Sequence, residues 1–289
     1  MQTLRSVLDS SINIVQDIDV GEKIESRYVH RKHSDHAIIY ISSQTGCDQL
    51  CKFCHLTQSG QTVYRDCTIE EIFHQVDLVW EHIDFSSITT IHFNFMARGE
   101  PLNNNNILEN LDILFFGFRT RCERVCKEFK VLFSSIIPKK NADRIFGFLD
   151  NALKYKEFYL YYSLYGDEEF RKRWMVNAYD LGLVLRYLGT KYQEGYTKQI
   201  VLHWAFIEGY NTDGIKLQIL AKRVLQWGLE GVRVNIVRFN GFNDRYSEPS
   251  EERISELLGL WNKINPNDRN KIVPRVGFDV NASCGMFVQ

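Results

Sequence analysis

The chain has 289 residues, 44% of them hydrophobic and 25% charged, with a formal net charge of -1 at pH 7. This composition supports a sizeable buried core and excludes a disordered chain, and the near-zero charge excludes a global basic field for nucleic acid. No apolar run is long enough for a membrane span or a leader, and seven clustered cysteines suit metal ligation in a reducing compartment better than a disulfide framework, so a cytoplasmic protein is expected.

Along the chain the densest basic patch comes first, at Arg27, His30, Arg31, Lys32, His33 and His36, and reads as a solvated loop ahead of the first strong strand. Buried strands are expected at residues 37–42, 88–95, 129–134, 158–164, 199–206, 232–237 and 271–276, where β-branched and aromatic residues concentrate. Between them helical periodicity runs over 69–82, 107–118, 139–153, 177–188, 213–227 and 248–263. Thr68 followed by Glu71 forms a capping box for the first of these helices, and Pro249 with Glu251 suits the first turn of the last. Alternating strands and helices imply an α/β fold with a parallel sheet and right-handed connections. No linker or repeat interrupts the series, so one catalytic domain over 1–289 is expected, with 1–24 as an N-terminal extension and 25–289 as the core.

Cys47, Cys51 and Cys54 form the pattern C-x3-C-x2-C, with Phe53 before the last, on the loop that follows the first strong strand. In parallel α/β folds that loop position carries chemistry. Three thiolates can each ligate one iron of a [4Fe-4S] cube and leave the fourth iron open for a non-protein ligand. A zinc site would need a fourth ligand, His55 or a distant cysteine, and this spacing is not the usual paired C-x2-C arrangement. A thioredoxin-type motif would use Cys51 and Cys54 alone and leave Cys47 unexplained.

The cysteine pattern resembles the radical S-adenosylmethionine superfamily, which implies a partial (β/α)6 barrel with the methionyl part of the cofactor on the open iron. Gly99-Glu100-Pro101 is similar to that superfamily's cofactor-amine-binding segment, in which Glu100 would take the ammonium group and Gly99 would allow close backbone approach. Residues Ser42 to Cys47, the Gly99 to Leu102 segment and the final Ala282-Ser283-Cys284-Gly285 together resemble the RlmN/Cfr family of radical RNA adenine methyltransferases. Ser134, the stretch Ser163-Leu164-Tyr165, and Asn240 are similar to further cofactor-binding positions of that family.

What this resemblance implies is a methyltransferase of an RNA adenine in ribosomal or transfer RNA, with S-adenosylmethionine and a [4Fe-4S] cluster as cofactors. It also implies a flavodoxin- or ferredoxin-like electron donor. Cys284 takes the place of the cysteine that is first methylated and then passes its carbon to adenine; read alone, it would be an ordinary packing or surface thiol. Glu25 pairs with a glutamate assigned as proton acceptor, if two extra residues are placed between it and the cluster; read alone, it is an exposed carboxylate on an N-terminal strand.

Two departures stand out. The family's resolving cysteine, seven positions before the first cluster ligand, is Tyr40 here, which cannot form a disulfide but can act as acid or base. Cys67, Cys122 and Cys126 are the other thiols available for that task, each placed by the pattern at the start or interior of a helix. Only about two dozen residues precede the first matching strand, where relatives carry an RNA-binding accessory domain, so recruitment of RNA would be weak or partner-dependent. The alternative reading is a radical enzyme of the same fold acting on a small molecule, nucleotide or peptide, or one with altered adduct resolution. A non-enzymatic iron-sulfur or zinc-stabilised RNA-binding protein is the third.

Overall fold

One ten-stranded sheet organises the chain, with its strands in sequence order from β1 to β10. The computed structural model describes residues 1–19, 21–30, 35–283 and 285–288; Arg31, Lys32, His33 and Cys284 lie outside the described residues. The sheet opens with an antiparallel meander of β1 (Gln2–Arg5), β2 (Ile12–Asp19), β3 (Glu22–His30) and β4 (His36–Tyr40). From β4 onward every pairing is parallel, through β5 (Thr90–Phe95), β6 (Glu128–Ser135), β7 (Phe158–Ser163), β8 (Ile200–Ala205), β9 (Arg233–Val237) and the two-residue β10 (Lys271–Ile272).

Each parallel step crosses over through helices. These are α1 (His55–Gln58) and α2 (Ile69–Trp80), then α3 (Asn105–Glu109) and α4 (Leu111–Arg124), α5 (Ala142–Ala152), α6 (Glu168–Trp174) with α7 (Leu181–Gln193), α8 (Gly214–Gln226) and α9 (Glu251–Asn262). Among the described residues six β/α units therefore follow one another, and β1 and β10 end the sheet without pairing to each other, which makes it the expected partial barrel rather than a closed one.

Alternation along the strands sorts residues to the two faces. Ile91, Phe93 and Phe95 of β5, Val131 and Phe133 of β6, and Leu202 and Trp204 of β8 point outward into the core beneath the helices. There Phe93 stacks on Phe118 at 4.1 Å and Trp204 meets Trp261 at 5.2 Å. Each such side chain contributes roughly 1.5–3 kcal/mol through burial. The intervening residues, His92, Asn94, Lys130, Tyr161, His203 and Asn235, face the concave interior.

The structure revises several expected elements. β1 to β3 were not expected as a meander, because polar residues dilute their apolar pattern, and the boundary expected at residue 24 falls inside β3. The helix expected over 107–118 is two, since Asn110 leaves the helical conformation at φ -125° and ψ 37° and ends α3 before α4 begins. Ser250 caps α9 by accepting from the Arg253 amide, so Pro249 stands before the cap and Glu251 opens the helix. The last strand stops after Ile272; Pro274 has no amide hydrogen to continue the ladder. The capping box of Thr68 and Glu71 is present in full.

Candidate active site

The loop leaving β4 is fixed at its root before it reaches the cysteines. Gln75 of α2 brackets Ser42, accepting from its amide at 2.8 Å and donating to its carbonyl at 3.0 Å, while the Ser42 hydroxyl donates to the Glu25 carbonyl at 2.7 Å. Further along, the Cys47 amide donates to the Gln61 carbonyl, and the Lys52 amide to the Trp174 carbonyl at 2.9 Å. Leu50 adopts a left-handed backbone between the cysteines, as Ile137 and Tyr165 do in the loops after β6 and β7. Non-glycine residues held in that region mark positions that the surrounding structure enforces.

Cys47, Cys51 and Cys54 line one cavity of about 160 Å3 at the carboxyl ends of the parallel strands. Gly99, Glu100, Ser134, Ser163, Tyr165 and Asn240 line the same cavity, so six of the seven residues expected at a cofactor meet the three cysteines there. Leu164 does not: its side chain is buried in the main core, and its carbonyl accepts from Arg171 at 3.0 Å. Burial raises all three of these thiols above their ordinary pKa, and the neighbouring thiolates push Cys47 and Cys51 further the same way. Thiols that repel one another's charge in a dry pocket ionise when a cationic metal centre compensates them.

Among the described residues no three His, Cys, Asp or Glu side chains converge on a single-ion site. A cluster bound through a different iron at each thiolate spreads its ligands around a larger body, so three cysteines around a cavity fit a [4Fe-4S] group better than one ion. His55 is turned away from this role. Its Nε2 donates to the Asn240 carbonyl at 3.0 Å, and burial lowers its pKa. Phe53 stacks on Tyr165 at 4.2 Å and walls one side of the pocket.

The Gly99 loop is seated against the root of the cysteine loop. Gly99 has φ +90°, and a Cβ there would lie 2.6 Å from Gln44 Cβ and 2.7 Å from Ser43 Oγ. The Glu100 amide donates to Gln44 Oε1 at 3.0 Å, while its carboxylate accepts from the amides of Leu102 and Ile136, each at 3.2 Å. Burial pushes the Glu100 carboxyl up to about 7. A buried carboxylate so placed is a cradle for a cation such as an ammonium group.

Glu25 is buried rather than exposed, which corrects the plain reading of that residue. Its carboxylate accepts from Arg98 Nε at 2.8 Å, Arg27 Nη2 at 3.0 Å, Asn13 Nδ2 at 3.1 Å and the Val288 amide at 2.9 Å. The two arginines in turn donate to the carbonyls of Met286 and Val288, tying the C-terminal segment to β3 and to the Gly99 loop. Four donors saturate this carboxylate.

Cys284 lies outside the described residues, but both of its neighbours reach the cavity region: Gly285 lines it, and Ser283 Oγ accepts from Asn240 Nδ2 at 3.0 Å. Tyr40 points into a second, larger space in the barrel interior, which shares Met96, His203 and Arg238 with the cysteine pocket. Cys67 and Cys122 are buried away from the pocket and Cys126 is exposed before β6, so none of the three lines it.

Arg98 and Arg171 were missed by sequence reasoning, and Arg27 was misplaced: the basic patch expected as a solvated loop begins inside β3, where Arg27 is buried and paired with Glu25. Arg171 of α6 reaches the carbonyls of Ser163, Leu164 and Ile136 and fixes the loops after β6 and β7. The one available signal was Arg98 itself, standing directly before Gly99.

No protein-family model matches the chain. Among curated proteins it is similar to the probable dual-specificity RNA methyltransferase RlmN of Clostridium botulinum (strain Eklund 17B / Type B), 27% identical over 289 residues that cover 97% of this chain and 76% of that protein. It is also similar to the dual-specificity RNA methyltransferase RlmN of Buchnera aphidicola subsp. Schizaphis graminum, 25% identical over 296 residues, covering 96% and 73% of the two chains. Among solved structures, the crystal structure of a radical SAM methyltransferase from Sphaerobacter thermophilus has the same fold, with a TM-score of 0.76 at 20% identity over 99% of this chain and 80% of that one. The chain is thus similar over nearly its whole length to curated RlmN proteins and shares the fold of a radical SAM methyltransferase, with the cysteine loop and the Gly99-Glu100 loop meeting at one cavity.

Proposed function

We propose that this enzyme methylates an adenine of ribosomal or transfer RNA, using Cys284 as the carrier of the methyl group. The observation that carries the reading is the meeting of Cys47, Cys51 and Cys54 with Glu100, Ser134, Ser163 and Asn240 around one cavity. The RNA methyltransferase names of the curated relatives support an RNA acceptor. Cys47, Cys51 and Cys54 would hold the [4Fe-4S] cluster, and Gly99, Glu100, Ser134, Ser163, Tyr165 and Asn240 would surround S-adenosylmethionine. When bound together, these groups supply a carbon radical able to abstract hydrogen from a methyl group.

The chain's own residues have separable tasks. Glu100 holds the ammonium end of the cofactor, Gly99 keeps that loop close, and Phe53 stacked on Tyr165 excludes water from one wall. The Cys284 thiolate is the nucleophile that accepts the first methyl group, since sulfur is strongly nucleophilic even at a modest thiolate fraction. Glu25, Arg27 and Arg98 position the segment that carries it, and Tyr40 takes part in proton handling when the product is released.

The test uses protein reconstituted anaerobically. About four irons per chain and cleavage of S-adenosylmethionine are expected, with loss of both on Cys51→Ser; a preparation that binds only zinc overturns the cluster assignment. Mass spectrometry should find a methyl group on Cys284 after incubation with cofactor, and labelled cofactor with total RNA should yield a methylated adenosine. Methylation of a nucleoside other than adenosine, or of no RNA at all, overturns the acceptor.

A further inference from the structure

Below the cysteine pocket, the concave interior of the partial barrel encloses a second cavity of about 350 Å3. Barrel interiors of this size are normally filled by branched apolar side chains. Here the inward positions carry Tyr40, His92, Asn94, Tyr161, His203 and Asn235, and polar atoms of this lining are left without partners. Among the described residues Arg27 Nε, Asn94 Oδ1, His203 Nδ1 and Asn235 Oδ1 have no hydrogen-bond partner, although their residues are exposed by only 1%, 5%, 6% and 3%. Buried polar atoms are almost always satisfied, and four orphans around one cavity are what a built ligand site looks like before its ligand is added.

The chemistry of the lining defines the ligand. Lys130 of β6 and Arg233 of β9 face the cavity, and among the described residues neither has a carboxylate within ion-pair distance, while Arg233 Nε is also unpartnered. Lys130 lies instead 5.4 Å from the ring of Tyr159. Arg238 and Arg275 add positive charge that Glu248 partly neutralises. Among the described residues of the lining Asp35 is the one acidic side chain, and it already accepts from Thr89 Oγ1. Unpaired cations therefore suit a phosphate, the tyrosine faces suit a planar ring, and the orphan amide oxygens and imidazole suit the polar edge of a base.

Placement orders these parts. Lys130 and Arg233 stand near the amino-terminal ends of their strands, whereas His203 is shared with the cysteine pocket at the other end. We propose that the barrel interior binds a free purine mononucleotide, with its phosphate on Lys130 and Arg233 and its base among Tyr161, Asn235 and His203, directed toward the cysteine pocket. This site stands whether or not RNA is the methyl acceptor.

Calorimetric titration of the full chain with AMP, and with adenosine as the uncharged control, tests the assignment. AMP should bind with an affinity that falls as salt is raised, and adenosine should bind about tenfold or more weakly. Lys130→Met and Arg233→Met should each weaken AMP by about tenfold, with iron content and thermal unfolding of the unliganded protein unchanged. No AMP binding, equal binding of AMP and adenosine, or full affinity in both variants overturns the proposal. Binding of an adenine-containing oligoribonucleotide that these substitutions weaken, without binding of AMP, also overturns it and assigns the cavity to RNA.

Discussion

Arg98 and Glu25 form a buried ion pair between residues 73 positions apart, with Arg98 Nε donating to Glu25 Oε1 at 2.8 Å and side-chain exposures of 1% and 0%. The pair joins β3 to the Gly99 loop, and through Val288 it also holds the C-terminal segment. Removing one partner strands a charge where water cannot reach it. Glu25→Gln and Arg98→Met should each cost about 3–5 kcal/mol in urea unfolding and expose residues 273–288 to limited proteolysis. A loss below about 1 kcal/mol in both would rule out this latch.

Gly99 should tolerate no side chain, because its φ of +90° and the 2.6 Å approach to Gln44 Cβ act together. Gly99→Ala is expected to destabilise by about 1–3 kcal/mol and to abolish cleavage of S-adenosylmethionine. Gly147, exposed in α5 with no atom within 4 Å of where a Cβ would stand, is the control. Gly147→Ala should stabilise by up to about 1 kcal/mol and leave cleavage intact. Equal behaviour of the two variants in the cleavage assay would count against the close-approach role of Gly99.

His203 gives the protein an acid-sensitive element. Burial lowers its pKa from 6.5 to about 4, and the groups that share its surroundings are Tyr161, at 5.6 Å between rings, and Arg238. Between those pH values the unfolded chain binds a proton that the folded chain refuses, so this residue's contribution favours unfolding as pH falls from 6.5 toward 4. The effect amounts to at most about 3 kcal/mol. His203→Gln should flatten the pH dependence of stability in that window relative to the parent protein; parallel curves would show that burial does not hold the ring neutral.

Thr68 accepts from the Glu71 amide at 3.2 Å, and Glu71 accepts from the Thr68 amide at 2.9 Å. Arg65 adds a bidentate pair to the same glutamate, holding its carboxyl below the usual range. Thr68→Ala should cost about 1 kcal/mol by thermal or urea unfolding, with no change in iron content. A loss of iron would mean that the α2 cap also governs the cysteine loop.

Much of the frame was legible because periodicity reports burial. The parallel strands of β5 to β9 and helices α2, α5, α8 and α9 fall where apolar spacing placed them, and the capping box stands as read. The meander of β1 to β3 was less legible because Asn13, Glu25 and Arg27 are buried polar residues, which break the alternation that marks a half-buried strand. Their partners, Val280, Arg98 and Met286, lie far away in the chain, so no local window contains the reason for their burial.

By itself the sequence determined the spacing of Cys47, Cys51 and Cys54, the glycine before Glu100 and the order of the β/α units, since each is local and follows from reach, backbone freedom or hydrophobic period. The tertiary structure decided that Glu25 is saturated by two arginines, that His55 turns to Asn240 rather than toward the cysteines, and that Tyr40 faces a polar chamber beneath them. Those outcomes depend on which strands become neighbours and how the sheet curves. Desolvation and hydrogen bonding across such contacts set the chemistry of a side chain, and neither is a property of the residue's own stretch of chain.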